Sequence, residues 1–217
     1  HEFCAMLLLL SLAAFVLQTL VVFAGNSRLF GLLKPGSGWY TNVEMSIRYA
    51  SLVTPAKWAF AIWGIIYSWE IVAMVYLVLS PTVATPGSLV LWLSANAFQA
   101  LWAPLFATER LVLSAVALAG IAASLVALGF LLPNTTLLDY LCFAAPVWLH
   151  AGWTVAASLV NVNLVAAYSA RASAAAQLSL AYASAFAAVL FGLCVIYAGP
   201  PLQPLPLVAA LAWALAA

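Results

Sequence analysis

The chain has 217 residues, of which 68% are hydrophobic and 5% are charged, and its mean hydropathy is +1.16. A soluble domain carries about 25% charged residues, so this composition excludes a soluble globular protein and indicates an integral membrane protein. The formal net charge of +1 provides no basic surface for a nucleic acid, which excludes nucleic acids as expected partners.

Seven apolar runs follow one another along the chain, and a spanning helix needs roughly 20 such residues. The runs are 6–24, 56–79, 88–107, 111–132, 141–168, 173–198 and a last one that begins near 203. Proline, glycine and small polar residues separate the later runs, at 80–82, 85–87, 108–110, 133–136, 169–171 and 199–201. No run alternates polar and apolar residues, so we predict an all-α polytopic helical bundle. The last run reaches Ala217, and we expect it to be a transmembrane helix that is cut short.

All the basic residues fall on one side of the membrane when seven spans are threaded through it. They are Arg28, Lys34, Arg48, Lys57, Arg110 and Arg171. The opposite loops carry Asp139 and neither lysine nor arginine. The positive-inside rule then puts the amino terminus on the outer or lumenal side and the basic loops in the cytosol or stroma. A plastid, a mitochondrion and a bacterial inner membrane all stay open as the location.

The first loop, residues 25–55, is the longest connection in the chain. Its segment 39–53 mixes aromatic, charged and apolar residues, as a segment at the membrane interface does. Two interpretations stay open for this segment, a lid over a pocket and a passive surface helix.

The second apolar run carries an acid on an aromatic face. Pro55 opens the run, because a proline is tolerated in the first turn of a helix. Trp63, Tyr67 and Glu70 then follow at i, i+4 and i+7, which places them on one helical face. Lipid gives a carboxyl group no partner, so we predict that this face points into the bundle.

Four polar side chains lie at similar predicted depth in three spans. At 1.5 Å of rise per residue, their predicted depth is about 12–16 Å from the outer ends of their spans. The four residues are Glu70, Asn96, Gln99 and His150. An ionisable residue inside a membrane is a functional hypothesis by default, so we predict that Glu70 contacts His150 or Gln99 around an inward cavity. The alternative is a structural tie between helices, with Glu70 protonated and hydrogen-bonded. A neutral His150 imidazole is also a candidate axial ligand for the metal of a tetrapyrrole.

Six of the tryptophans divide into two groups by their depth. Trp39, Trp92 and Trp213 lie near predicted span ends and fit an interfacial aromatic belt. Trp63, Trp102 and Trp153 lie deeper, and the sequence pattern alone leaves open whether they fill the core or line a pocket.

Three motifs resemble the TspO/MBR family, the tryptophan-rich sensory and translocator proteins. Residues 54–67, TPAKWAFAIWGIIY, resemble the second helix of that family, and 102–106 are similar to its Trp-x-Pro-x-Phe segment. Pro146, Trp153 and Asn161 are similar to its fifth helix.

The resemblance covers residues 6–168, and the family has five helices. We therefore predict a five-helix TspO-like membrane domain over residues 1–168 and additional transmembrane helices over 169–217. The resemblance implies an aromatic-lined cavity below the first loop. Family members bind tetrapyrroles such as protoporphyrin, and some bind sterols. The matching positions are Trp63, Tyr67, Trp102, Phe106, Trp153 and Ala157, with Trp39 as a looser match.

The sequence contains no nucleophile–base pair, metal-ligand cluster or Gly-rich phosphate loop, so we expect a protein that is not an enzyme. The leading hypothesis is a binding or sensor protein for a flat hydrophobic ligand, with no required cofactor. Such a ligand is a tetrapyrrole of the porphyrin, haem or chlorophyll type, or a lipid such as a sterol. The alternatives are a structural or pigment-holding subunit of a photosynthetic or respiratory complex, and a small-molecule transporter. The expected partners are the lipid bilayer, a hydrophobic small molecule, and either a second copy of the chain or neighbours in a membrane complex.

Overall fold

The computed structural model describes residues 2–132, 136–199 and 203–217, and every regular element in these ranges is a helix. Six helices are long and apolar enough to cross a membrane, which confirms the predicted all-α polytopic class. The chain is therefore an integral, multi-pass membrane protein. The predicted breaks at 133–136 and 199–201 lie largely outside the described residues.

The helices agree with the predicted runs to within a few residues at most ends. In chain order they are α1 (Glu2–Asn26), α2 (Asn42–Arg48), α3 (Lys57–Leu79), α4 (Pro86–Ala107), α5 (Leu111–Leu131), α6 (Leu137–Ser169), α7 (Ala174–Ala198) and α8 (Leu205–Leu215). The first turn of α3, Lys57–Ala61, is a 3-10 helix, and α6 includes π-helical turns at Tyr140–Ala144 and Val165–Ser169. Helix α4 starts earlier than predicted because Thr85 caps it, accepting a hydrogen bond from the backbone N–H of Ser88, with Pro86 in the first turn.

Helix α6 is the centre of the bundle. It packs extensively against α5 and α8, and α4 in turn packs against α1 and α5. Val147 and Trp148 of α6 are fully buried. Helix α7 is peripheral by comparison, and its Tyr182, Phe186 and Tyr197 are exposed. Because a spanning helix at the rim of a bundle faces hydrocarbon, these exposed apolar side chains fit contact with lipid.

Glycine in α5 makes room for an aromatic ring of α6. A Cβ atom added at Gly129 would lie 2.6–2.8 Å from ring atoms of Trp148. Real Cβ atoms do not approach carbon so closely, so the missing side chain is what lets the indole pack against the α5 backbone.

Helix α8 is too short to span a membrane alone. Its 11 residues rise about 16 Å, against a hydrocarbon core of about 30 Å. It is nevertheless tied into the bundle, because the Trp213 indole donates to the Ala59 carbonyl at 3.0 Å and the Ala56 N–H donates to the Ala217 carbonyl at 3.0 Å. The described part of the predicted seventh span is therefore a helix of 11 residues that docks on the others.

The first loop lies against the end of the bundle that carries the basic residues. The Tyr40 N–H donates to the Ala107 carbonyl of α4 at 2.9 Å, and the Tyr168 hydroxyl of α6 donates to the Ala50 carbonyl at 2.7 Å. These contacts hold both sides of α2 on the bundle.

Two ion pairs reinforce this attachment. Arg28, just after α1, pairs with Glu44 of α2, and Arg48 of α2 pairs with Glu109, just after α4. The Tyr49 hydroxyl also donates to Glu109 at 2.7 Å. The side of the membrane on which this end lies stays a prediction from the positive-inside rule.

The Glu44 contacts predict a pH-dependent stability. Its carboxylate accepts the Thr41 backbone N–H at 2.8 Å, and this hydrogen bond together with the Arg28 pair holds the pKa of Glu44 below its ordinary value. The stabilisation is therefore present above the unfolded pKa of about 4.3 and is lost as the pH falls through the lower folded pKa. Thermal unfolding in detergent should show wild type more stable than Glu44→Gln at neutral pH, with the difference vanishing below about pH 4.

Glu2→Gln is the matched control for this experiment, because it removes an acid from the first turn of α1, away from the loop contacts. The difference in stability between wild type and Glu2→Gln should not change with pH in this way. A difference between wild type and Glu44→Gln that is the same at every pH would contradict the prediction.

Candidate functional site

A void of about 610 Å³, its mouth included, lies between α3, α4 and α6 and beneath the first loop. We call it the aromatic cavity. Five residues that match the family motifs line it, namely Trp63, Trp102, Phe106, Trp153 and Ala157. Thr54, Pro55, Phe60 and Asn161, which lie within the motifs, also line it. Lining residues outside the motifs are Asn42, Ser46, Tyr49, Ala156, Val160, Leu164 and Ala214.

Trp63 is the centre of the aromatic wall. Its ring stacks on Trp102 with centroids 6.1 Å apart and meets Trp153 edge-on at 6.2 Å. Trp102 stacks on Phe106, one turn further along α4, at 5.5 Å. These distances are typical of offset-stacked and edge-to-face aromatic pairs, so the wall is a packed set of rings from three helices.

Helix α2 and the turn after it form the roof of the aromatic cavity. Asn42, Ser46 and Tyr49 bring polar groups there, whereas the walls below are aromatic or aliphatic. A mostly apolar pocket with a few placed polar groups is the usual form of a small-molecule site. The structure thus places the 39–53 segment over a pocket, as the lid interpretation requires.

A second void of about 700 Å³, its mouth included, lies between α1 and α3. It shares Asn42, Phe60 and Trp63 with the aromatic cavity. Tyr67 lines this second void instead of the aromatic cavity, with its ring stacked on Trp63 at 5.7 Å. Trp63 therefore stands between two voids that share the same roof.

Two tryptophans lie elsewhere than the sequence suggested. The Trp39 indole donates to the Gly25 carbonyl at 3.0 Å, so Trp39 ties the loop to the end of α1 and lines neither void. Trp92 is 1% exposed, so its assignment to an interfacial belt was wrong. It shares an inward face of α4 with Asn96 and Gln99, at i, i+4 and i+7.

A polar cluster lies deeper in the bundle and consists of Gln18, Glu70, Asn96, Gln99 and His150. Together with Trp92 and two apolar residues, it surrounds a narrow gap that has no room for a water molecule. His150 Nδ1 lies 2.6 Å from Glu70 Oε1, which confirms the predicted contact between these two side chains. Glu70 is 1% exposed and His150 is 4% exposed, so the pair is buried away from solvent and lipid.

The amides of the cluster make separate contacts. Gln99 Nε2 donates to the Tyr67 hydroxyl at 3.3 Å, and that hydroxyl donates to Gln18 Oε1 at 3.4 Å. Asn96 Nδ2 donates to the Trp92 carbonyl on its own helix at 2.7 Å. Sequence reasoning missed Gln18. The available signal was a lone amide in the apolar α1, on the same helical face as Phe15 and Val22.

The polar cluster lies directly behind the wall of the aromatic cavity. The Trp63 and His150 rings meet edge-on with centroids 5.6 Å apart, and His150 does not line the cavity itself. Axial ligation of a tetrapyrrole metal by His150 would therefore require Trp63 to move. Among residues 2–132, 136–199 and 203–217, no group of three His, Cys, Asp or Glu is arranged to hold a metal ion.

Comparison with known proteins gives one match. A family model described as TSPO-like protein matches residues 9–217. The match includes α7 and α8, which the three motifs did not cover. Neither a curated protein nor a solved structure matches the chain.

Proposed function

The chain belongs to the TSPO-like family, and from this premise we propose that it binds a flat hydrophobic ligand, a tetrapyrrole or a sterol, in the aromatic cavity. In this proposal the protein is a membrane binding or sensor protein and needs no resident cofactor. The single observation that carries the proposal is the convergence of Trp63, Trp102 and Trp153, from three helices, on one roofed cavity.

Ring chemistry supports a flat ligand. The stacked pair of Trp63 and Trp102 offers indole surfaces that a macrocycle or fused ring system would extend, since aromatic rings favour offset stacking at about 4.5–7 Å. The space inside the cavity that is large enough for a water molecule is about 60 Å³, less than the range of about 300–1,000 Å³ typical of small-molecule sites, so a flat ligand of this size requires the roof or the rings to move.

The roof supports a ligand that also carries polar substituents. The Asn42 amide can donate to a carboxylate or hydroxyl oxygen of the ligand. The Ser46 and Tyr49 hydroxyls already donate to the Val43 carbonyl and to Glu109, so they offer the ligand acceptor oxygens. The ion pairs that hold α2, Arg28 with Glu44 and Arg48 with Glu109, would have to loosen for a large ligand to enter from this side.

Filling the cavity tests the proposal. Ala157→Phe places a ring into the space beside Trp153, and we expect it to weaken protoporphyrin binding about tenfold or more, because the ligand and the new ring would compete for the same volume. Binding is measured by the porphyrin absorbance band and by quenching of tryptophan fluorescence. Cholesterol as a competitor distinguishes a sterol site from a tetrapyrrole site.

Val162→Phe is the matched control, because it adds the same ring on the same helix at a position that is 47% exposed. It should bind protoporphyrin as wild type does. If wild type binds neither protoporphyrin nor cholesterol, the proposed function is wrong. Stable copurification of such an inactive chain with a large membrane complex would instead favour the subunit alternative.

A further inference from the structure

The polar cluster and the adjoining Trp92 contain four buried atoms that have no hydrogen-bond partner among the described residues. They are Glu70 Oε2, His150 Nε2, Gln99 Oε1 and Trp92 Nε1. All four belong to residues that surround the same gap, which has no room for a water molecule that could satisfy them. A buried polar atom without a partner costs about 1–3 kcal/mol, and more when it is charged, so four in one place need an explanation.

Among the described residues that surround Glu70, His150 is the only basic side chain. The other groups that face the pair are Gln18 from α1, Tyr67 from α3 and Asn96 from α4, with Leu125 from α5. Tyr67 is the only additional titratable group among them. Lysine and arginine occur only in the loops and at helix ends of the sequence. An ionised Glu70 beside a neutral His150 would therefore leave one negative charge at low dielectric, which is strongly unfavourable.

A count of donors and acceptors favours one additional proton. With Glu70 ionised and His150 neutral, donating from Nδ1, the unpaired atoms are three acceptors and one donor, the Trp92 N–H. A proton added to Glu70 Oε2 makes two donors and two acceptors. A proton added to His150 Nε2 also leaves two unpaired donors and two unpaired acceptors. Either addition also neutralises the cluster.

We infer that Glu70 and His150 form a buried proton-binding site, which holds one proton jointly at neutral pH. The added proton lies on Glu70 Oε2 or on His150 Nε2. When it lies on Nε2, the Nδ1 proton can cross the 2.6 Å hydrogen bond to Glu70 Oε1, which turns a carboxylate beside an imidazolium into a carboxylic acid beside a neutral imidazole and leaves the charge of the pair unchanged. The residues therefore act as one unit that binds one proton.

The position of the pair links it to the aromatic cavity. Trp63 contacts the His150 ring on one side and lines the cavity on the other. A ligand that displaces Trp63 changes the environment of His150, so it shifts the proton between the two residues. This linkage rests on the proposed function, whereas the proton site does not.

The composition makes the proton site directly measurable. The sequence has five acids, and the four besides Glu70 lie in loops or at helix ends, namely Glu2, Glu44, Glu109 and Asp139. Exposed carboxyl groups are ionised at neutral pH. Infrared spectroscopy of the ligand-free protein should therefore assign any protonated-carboxyl band to Glu70. The only histidines in the sequence are His1 and His150. An NMR spectrum of the protein with ¹⁵N-labelled histidine therefore contains the imidazole signals of His150 and of one other residue, His1.

We expect one of two signatures at neutral pH, either a protonated-carboxyl band that Glu70→Gln removes or an imidazolium signal that His150→Gln removes. A Glu70 carboxylate together with a neutral His150 imidazole overturns the inference. Tyr67→Phe is the matched control, because it removes the neighbouring hydroxyl and leaves the pair, and it should keep the signature. If a variant does not fold, the wild-type NMR and infrared spectra together still decide, since each protonation state has its own signature.

The linkage is tested by adding protoporphyrin to the wild-type protein. A change in the balance of the two signatures on binding supports it. Binding with unchanged spectra overturns the linkage and leaves the proton site, whereas the absence of binding overturns the proposed function.

Discussion

Replacing Trp63 with alanine is expected to weaken protoporphyrin binding by about tenfold or more. The indole stacks on Trp102 and closes the side of the aromatic cavity toward the second void, so its removal eliminates a stacking surface and opens the site. A lost aromatic pair contributes about 0.5–1.5 kcal/mol beyond its apolar contacts, and 1.4 kcal/mol is tenfold in affinity. Equilibrium dialysis is the suitable measurement, since the variant also lacks one fluorescent residue.

Trp58→Ala is the control for this prediction. Trp58 is in the same segment, is 50% exposed and packs edge-on against Trp213 outside the aromatic cavity. The Trp58→Ala substitution should leave the affinity for protoporphyrin unchanged. Trp63→Leu separates aromatic stacking from simple filling, because leucine retains apolar volume. Wild-type affinity in a folded Trp63→Ala protein would place the ligand elsewhere.

Replacing Gly152 with alanine is expected to destabilise the bundle by about 1–3 kcal/mol or more. A Cβ atom at this position would lie 2.3 Å from the Leu207 carbonyl oxygen and 2.8 Å from the Leu207 Cα. Both atoms belong to the α8 backbone, which cannot rotate aside as a side chain can, so the helix must move. Thermal unfolding in detergent measures the loss.

Gly64→Ala is the matched control, since a Cβ atom there meets nothing within 4 Å. Alanine is the better helix former by up to about 1 kcal/mol, so this variant should be as stable as wild type or slightly more stable. Equal stability of Gly152→Ala and Gly64→Ala would show that α8 does not dock closely on α6.

Most of the fold was predictable because membrane spans have a direct sequence signal. Backbone groups cannot stay unpaired in hydrocarbon, so a long apolar run must be helical, and six runs became long helices. The short helix Leu205–Leu215 was the exception. Its apolar run extends to Ala217, and only the structure shows that it docks on α6. The division of the chain at residue 168 stays a prediction.

The site was partly predictable for a related reason. Helical spacing placed Trp63 and Glu70 on one inward face, and the family motifs indicated Trp102 and Trp153, all of which the structure brings around neighbouring voids. Gln18 was missed although a lone amide in an apolar span is a signal, because the sequence does not show which helices that face of α1 meets.

By itself, the sequence determined that this protein is a helical membrane bundle and that an acid and several tryptophans point inward, since composition and the 3.6-residue period act within each helix. The tertiary structure alone decided that the partner of Glu70 is His150, 80 residues away, and not Gln99, and that Trp63 separates two voids. The physical reason is that periodicity specifies which residues share a face but not which neighbour that face meets. That choice depends on side-chain packing between helices, where a single glycine at position 152 admits α8 and the stacked indoles set the width of the aromatic cavity.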